Sequence, residues 1–272
     1  MSRLRERFGT RRVAPEERLS VVEHLDELRR RVFIAALALV VAFGAMYAVH
    51  DQLLDLLAWP LPEDRRTLVT LSPVEPFFTV LKVSFWASII VALPVWLYQL
   101  YAFVIPAVGP QPRRKMLAVV AGVSALFAAG VAFGFFLVLP VALDFLLGFG
   151  DGLFTTELRA GDYYAFVTTM LLGAGLVFEV PVAMVALARI GVITASAYRR
   201  NWRTAIVVIA VIAAILPGGD PFSMILLMIP MIVLYQVGIW LSAVFGGPPV
   251  WERGLWDSGA DAEAAQGSDP SS

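Results

Sequence analysis

Cysteine is absent from all 272 residues, which excludes disulfides, thiolate nucleophiles and thiolate metal sites. Histidine is nearly absent. His24 and His50 are far apart and flank the first apolar run, so no histidine-rich metal site is expected. No G-x-x-x-x-G-K-[ST] phosphate loop occurs, and energy from ATP would have to enter through another protein. Charge is scarce as well: Asp, Glu, Lys and Arg make up 16% of the chain, against about 25% in soluble domains. A net charge of −1 gives no electrostatic case for binding nucleic acid. Neither a cofactor nor an enzymatic centre is expected. No histidine lies inside an apolar run to serve a serine, and no two aspartates sit at matching depth.

Apolar residues fill the space that charge leaves. The chain is 59% hydrophobic, its mean hydropathy is +0.76, and its charges cluster between long apolar runs. That distribution predicts an all-α integral membrane protein, because only helices or closed barrels satisfy their own backbone inside a bilayer. Six runs stand out. Val32–Val49 holds 18 uncharged residues, roughly 27 Å of helix. The second extends from about Val83 to Val104 with Pro94 inside it; the third, Met116–Leu143, is 28 residues without a charge. Tyr163–Ala188 is interrupted only by Glu179. Thr204–Leu216 has 13 residues, about 20 Å of helix against a ~30 Å hydrocarbon core. Ser223–Phe245 returns after the breaker cluster Leu216-Pro217-Gly218-Gly219-Asp220-Pro221, with Pro230 inside. The last two helices are therefore expected to be short, and to thin the bilayer or lean on their neighbours.

An even number of spans puts both termini on one side. Nine arginines before Val32 share that side with Arg113, Arg114, Lys115, Arg189, Arg199, Arg200, Arg203 and Arg253, 17 in all. The opposite loops hold three: Arg65, Arg66 and Arg159. Basic residues stay in the cytoplasm, so both termini are expected there. Residues 1–18 read as a basic tail, 19–245 as the membrane domain and 246–272, rich in Gly, Pro, Ser, Ala and Asp, as a disordered tail. The first apolar run lacks a trustworthy cleavage pattern and reads as a permanent span. Before it, Ser20-Val21-Val22-Glu23 fits a capping box. Leu19, Val22, Leu25, Leu28 and Val32 form an apolar stripe, while Asp26 with Arg30 and Glu27 with Arg31 are i,i+4 pairs in the favourable order. A short amphipathic helix is thus expected to run into the first span. No internal repeat is visible.

Several short motifs occur in a fixed order. They are His24-Leu25-Asp26-Glu27-Leu28-Arg29 before the first run, Trp59-Pro60-Leu61 in the first outer loop, and Pro76-Phe77-Phe78-Thr79 with Lys82 entering the second run. Tyr98-Gln99, Ala102-Phe103 and Pro106-Ala107 close that run. Phe178-Glu179-Val180-Pro181 lies in the fourth, and Pro217-Gly218-Gly219-Asp220 with Phe222-Ser223 forms the last outer turn. Over about residues 20 to 245 the chain resembles the TatC family, the multi-span subunit of the twin-arginine protein translocase. The resemblance implies a concave, glove-like bundle of six helices that recognises precursors whose signal peptides carry two adjacent arginines and exports them already folded. It implies TatA-like and TatB-like single-span partners, self-association in a complex, contact with membrane lipid, use of the proton-motive force, and a bacterial cytoplasmic membrane as the location.

The resemblance also assigns roles. Glu27, with Leu25, Arg29 and Phe103, would bind the signal peptide; a planar guanidinium meets a carboxylate bidentately in a way that lysine does not copy. Glu179 would be an intramembrane polar site meeting partner helices or the precursor, although it could equally be a protonated glutamate bonded to a neighbouring helix. His24, Pro60, Lys82 and Asp220 would serve assembly or structure, with Asp220 equally a turn residue. Lys82 and Glu75 are expected to snorkel and anchor near the outer face. One departure stands out: the loop Gly109-Pro110-Gln111-Pro112-Arg113-Arg114 carries Pro112 where the family usually has a second glutamate. The rival reading is a proton-coupled secondary transporter using Glu179, which an intramembrane acid would favour and the missing repeat disfavours.

Overall fold

The computed structural model describes residues 21–108, 113–149, 157–215 and 220–247. Ten α-helices account for nearly all of them: α1 (Val21–Ala48), α2 (His50–Ala58), α3 (Glu75–Val108), α4 (Arg113–Phe133), α5 (Leu139–Gly148), α6 (Ala160–Phe178), α7 (Val180–Ile190), α8 (Ala195–Arg200), α9 (Trp202–Ile215) and α10 (Pro221–Phe245). Among the described residues there is no β-strand, only an isolated parallel bridge between Val69 and Arg159. Among the described residues five helical stretches are long and apolar enough to cross a membrane: Leu25–Ala48, Glu75–Phe103, Arg114–Gly148, Ala160–Ile190 and Pro221–Phe245. α9, with 14 residues, reaches about 21 Å.

As expected, the amphipathic segment runs into the first span, the two forming one unbroken helix, α1; Ser20 of the expected capping box lies outside the described residues. The helices depart from expectation in three places. Of the final pair, only α9 is short, because the 25 residues of α10 extend past the point where α9 begins. Tyr235 of α10 donates to the Tyr198 carbonyl of α8 at 2.9 Å. α9 therefore starts near a level that α10 passes ten residues, about 15 Å, before its end. The two remaining differences are the short helices α2 and α8, which sequence periodicity did not separate from their loops.

Two of the long stretches are not regular. Between α4 and α5, Gly134–Val138 widens into a π-helical turn, in which the Leu139 amide donates to the Gly134 carbonyl five residues back. Pro140 explains it: the ring lacks an N–H and collides with the carbonyl of residue 136, so the chain inserts an extra residue into the ladder. Between α6 and α7, Pro181 removes the amide that Val177 would have bonded, and the helix breaks at Glu179. α7 then ends at Gly191, whose φ of 84° is the left-handed conformation of a helix C-terminus.

The core lies between α4, α5 and α6. Val138, Leu139, Ala142, Val167 and Met170 are fully buried, closed on the α2 side by Leu57 and Leu61 and on the α10 side by Leu227. α4 meets α6 across small residues. A Cβ on Gly130 would lie 2.7 Å from the Ala174 carbonyl oxygen, and one on Gly134 2.7 Å from the Ala174 methyl. Such close approach replaces the hydrophobic drive that lipid cannot supply. α1, by contrast, buries only Ala42 among its described side chains. It is joined to α3 by two polar contacts, Trp96 Nε1 to the Ala35 carbonyl at 3.0 Å and Arg31 Nη1 to Gln99 Oε1 at 3.4 Å.

The packing predicts that Gly130→Leu pushes α4 from α6, costing about 1–3 kcal/mol and lowering the thermal midpoint in detergent. Gly122→Leu, with no atom within 4 Å of its Cβ, is expected to leave the midpoint unchanged. Equal midpoints for the two variants would refute tight α4–α6 contact.

Candidate functional site

Glu27 sits two turns into α1, on the side that turns toward α3. Its Oε1 accepts from Nε of Arg31 at 3.1 Å and also from Nη2 of the same guanidinium. Arg31 reaches on to Gln99, so a carboxylate, a guanidinium and an amide from two helices form one chain of contacts. Both charged side chains are about three-quarters withdrawn from solvent, at 21% and 27% exposure. Phe103, half-buried, lies four residues beyond Gln99 and so on the same face of α3. Leu25 and Arg29 lie elsewhere. At 100° per residue each is about 200° around α1 from Glu27, and both are exposed. The structure thus gathers Glu27 and the Phe103 face at one corner and leaves Leu25 and Arg29 on the opposite side of α1. The side chain of His24, and the whole of Pro112, lie outside the described residues.

Sequence reasoning missed Arg31 and Gln99 as members of this corner. The i,i+4 spacing signalled the Glu27–Arg31 pair, but nothing local signals a contact across 68 residues.

Glu179 occupies the break between α6 and α7. Its amide donates to the Leu176 carbonyl at 3.1 Å, and its carbonyl accepts from Ala183 at 2.9 Å. The side chain is half-buried, and among the described residues its buried Oε1 has no hydrogen-bond partner. Phe178 beside it packs against Phe133 of α4, with ring centroids 5.4 Å apart. On the other side Val177 packs with Ile209, Ala213 and Met231 of α9 and α10. An unpaired carboxyl oxygen at membrane depth is a vacant acceptor, since burial without a partner is unfavourable.

At the α2 end the expected surface charges turn inward. Glu75 is 8% exposed, which corrects its placement as a snorkelling anchor. It accepts from Arg159 Nε at 2.8 Å, from the Leu71 amide at 3.0 Å and from the Gly161 amide at 3.2 Å. Three donors on one carboxylate explain why it stays charged while enclosed. The same contact and charge hold the Arg159 guanidinium above its ordinary pKa. Beside this cluster Val69 donates to Leu158 and accepts from Ala160, both at 2.9 Å. Arg66 bonds the Trp59 and Leu61 carbonyls at 3.2 Å each, fixing the turn through half-buried Pro60. Arg65 donates to the Leu147 carbonyl at 3.3 Å. Tyr163 and Tyr164 donate to the Leu57 and Leu54 carbonyls of α2 at 2.7 and 3.2 Å. Lys82 is exposed, beside a small hollow lined by Thr79, Trp86, Tyr164 and Thr168. Asp220 caps α10, accepting from the Ser223 amide at 2.7 Å. Among the described residues no group of His, Asp and Glu is placed to hold a metal.

Residues 23–230 match the family model described as "Sec-independent protein translocase protein (TatC)". A protein of Deinococcus radiodurans named Sec-independent protein translocase protein TatC is 35% identical over 241 residues, 85% of this chain and 89% of the relative. The protein of that name from Carboxydothermus hydrogenoformans is 34% identical over 82% of this chain and 93% of its own length. A chloroplastic relative from Arabidopsis thaliana is 33% identical over 85% of this chain and 68% of its own length. The fold is similar to a crystal structure described as the twin arginine translocase receptor TatC, with a TM-score of 0.74 and 35% identity, over 82% of this chain and 99% of that one.

The Glu75 cluster makes a prediction that the cysteine-free chain suits. With Val69→Cys as the sole thiol, adding Glu75→Ala is expected to raise the rate of labelling by a membrane-impermeant maleimide severalfold. An unchanged rate would show that the backbone bridge alone holds this segment.

Proposed function

The chain belongs to the TatC family of Sec-independent protein translocase proteins, and we propose that it is the translocase's receptor for signal peptides bearing two adjacent arginines, with Glu27 docking one guanidinium. The observation that carries this reading is the guanidinium already seated on Glu27: Nε and Nη2 of Arg31 both meet Oε1. The carboxylate is therefore accessible to such a group, and partial withdrawal from water strengthens the contact. Phe103, one turn past Gln99, supplies an apolar neighbour for the peptide. Leu25 and Arg29, on the far side of α1, contact the leader only if it wraps the helix; we assign them the outer part of the same site. Because Pro112 replaces the loop glutamate that the resemblance implies, Glu27 carries more of the recognition here.

We further infer a six-span topology with both termini in the cytoplasm, supported by 17 basic residues on that side against three opposite. The membrane is the bacterial cytoplasmic one. TatA-like and TatB-like single-span subunits, other copies of this chain and folded precursors are the partners, and the proton-motive force supplies the energy. The vacant Glu179 oxygen fits a partner helix that brings a donor to membrane depth. The cap from Asp220, the Pro60 turn held by Arg66 and the position of Lys82 suit structural and assembly roles, and His24 is assigned with them.

Glu27→Ala is expected to abolish export of a folded twin-arginine reporter in a complementation assay. The loss corresponds to about 1.5–3 kcal/mol of charged hydrogen bonding, roughly 10- to 150-fold in peptide Kd. Wild-type export by this variant would remove Glu27 from the docking role. For Glu179→Leu the expectation is a raised thermal midpoint, since a vacant buried acceptor disappears, together with reduced export. A lowered midpoint would show instead that Glu179 has a structural donor.

A further inference from the structure

Arg31 makes an unusual neighbour for a residue whose proposed task is to hold an arginine. If Glu27 receives a precursor guanidinium, Arg31 is already in that place. We propose that Arg31 is an internal stand-in for the incoming arginine, which it must yield to, and that this competition sets the preference for arginine over lysine. The inference rests on the reading of Glu27 as the docking carboxylate.

Three features of the geometry support exchange. First, both contacts from Arg31 fall on Oε1 of Glu27, through Nε and Nη2. Oε2 has no partner among the described residues, so an arriving donor has a foothold before Arg31 leaves. Second, the opposite edge of the same guanidinium meets Gln99 Oε1 at 3.4 Å. Gln99 belongs to α3, so it stays in place while α1 side chains rearrange. When Arg31 gives up Glu27, its cation keeps an acceptor and is not left partly buried and unpaired, an outcome that is strongly unfavourable. Third, the pair is only partly withdrawn from solvent, at 21% and 27% exposure, so a ligand can approach it.

Selectivity follows from what a competitor must match. Arg31 is tethered one helical turn from Glu27, and tethering gives it a local concentration in the millimolar range or above. A ligand displaces it only by replacing its contacts in kind. A second guanidinium offers the same planar fork of donors, whereas an ammonium offers a compact, strongly hydrated point charge without that geometry. Lysine leaders thus meet an occupied site, and arginine leaders meet an exchangeable one. Without Arg31, Glu27 would be an open carboxylate to which either cation could pair.

The test measures Kd for fluorescent leader peptides containing Arg-Arg or Lys-Lys, using the full chain in nanodiscs. Arg31→Gln is expected to tighten both peptides, the Lys-Lys form more, so that the ratio of their Kd values shrinks by about tenfold. Gln99→Leu is expected to act in the other direction and weaken Arg-Arg binding, because the displaced guanidinium loses its second acceptor. If Arg31→Gln does not give monodisperse protein, Arg31→Lys decides by the same ratio: a smaller ratio supports the stand-in, and a wild-type ratio overturns it. A wild-type ratio in Arg31→Gln, or weaker binding of both peptides, would likewise overturn it. Glu27→Gln separates the two levels. If that change leaves Arg-Arg binding intact, the docking reading itself fails; if it weakens binding while Arg31→Gln keeps the ratio, only the stand-in fails.

Discussion

Inside a bilayer no water completes a broken hydrogen bond, and this constraint governs how the chain departs from regular helix. Pro140 removes one amide, and the backbone answers with a five-residue π-helical turn, Gly134–Val138. Pro181 removes another, and the helix ends and restarts around Glu179. Side-chain hydroxyls fold back in the same way: Thr168 onto the Tyr164 carbonyl at 2.6 Å and Ser88 onto Phe85 at 2.6 Å. Even the indole of Trp96 spends its N–H on a backbone carbonyl of α1. Among the described residues five buried side-chain oxygens go unanswered, the hydroxyls of Ser84, Ser124, Ser223 and Ser242 and Oε1 of Glu179; of these Glu179 is the ionisable one, and it lies at a helix break.

The two ends of the bundle are built on opposite principles. At the α2 end, arginines are consumed within the chain: Arg159 by Glu75, Arg66 by the carbonyls around Pro60. Tyr163 of α6 fills the Leu57 carbonyl in the last turn of α2, which a helix C-terminus otherwise leaves open, and Tyr164 adds a bond to the Leu54 carbonyl one turn earlier. This end is closed by polar contacts between segments distant in sequence. At the α8 end, among the described residues, Arg189 bonds the Phe245 carbonyl, and the charged corner at Glu27 is partly exposed. One end is therefore closed by contacts within the chain, while the Glu27 corner at the other stays partly open to solvent.

Packing varies in step with that division. α4 and α6 approach closely through Gly130, Gly134 and Ala174, with Phe127 against Gly175. α1 buries a single described side chain and depends on α3 for its position. Elements with few buried contacts open and shift most readily. The helix that carries Glu27 is thus lightly buried and takes its position from α3, to which the Arg31–Gln99 contact ties the charged corner.

Much of this was written in local sequence. Hydropathy sets the apolar runs, because the length of a run alone decides whether it can cross hydrocarbon. Charge counts set the expected orientation for a similar reason, and the i,i+4 spacing announced the Glu27–Arg31 pair. The breaks at Pro140 and Pro181 were less legible. Proline inside a membrane helix signals a disturbance, but whether the result is a widened turn or a full break depends on what packs around it. Glu75 was misjudged outright, since its enclosure requires Arg159, 84 residues away. Gln99 was legible as part of a motif, but its contact with Arg31 was not, because the two lie 68 residues apart. The length of α10 relative to α9 was hidden too, as it shows only where Tyr235 meets α8. Single-residue hydropathy and spacing are properties of neighbours along the chain. Ion pairs, clasped loops and the relative depth of helices belong to segments that only folding brings together.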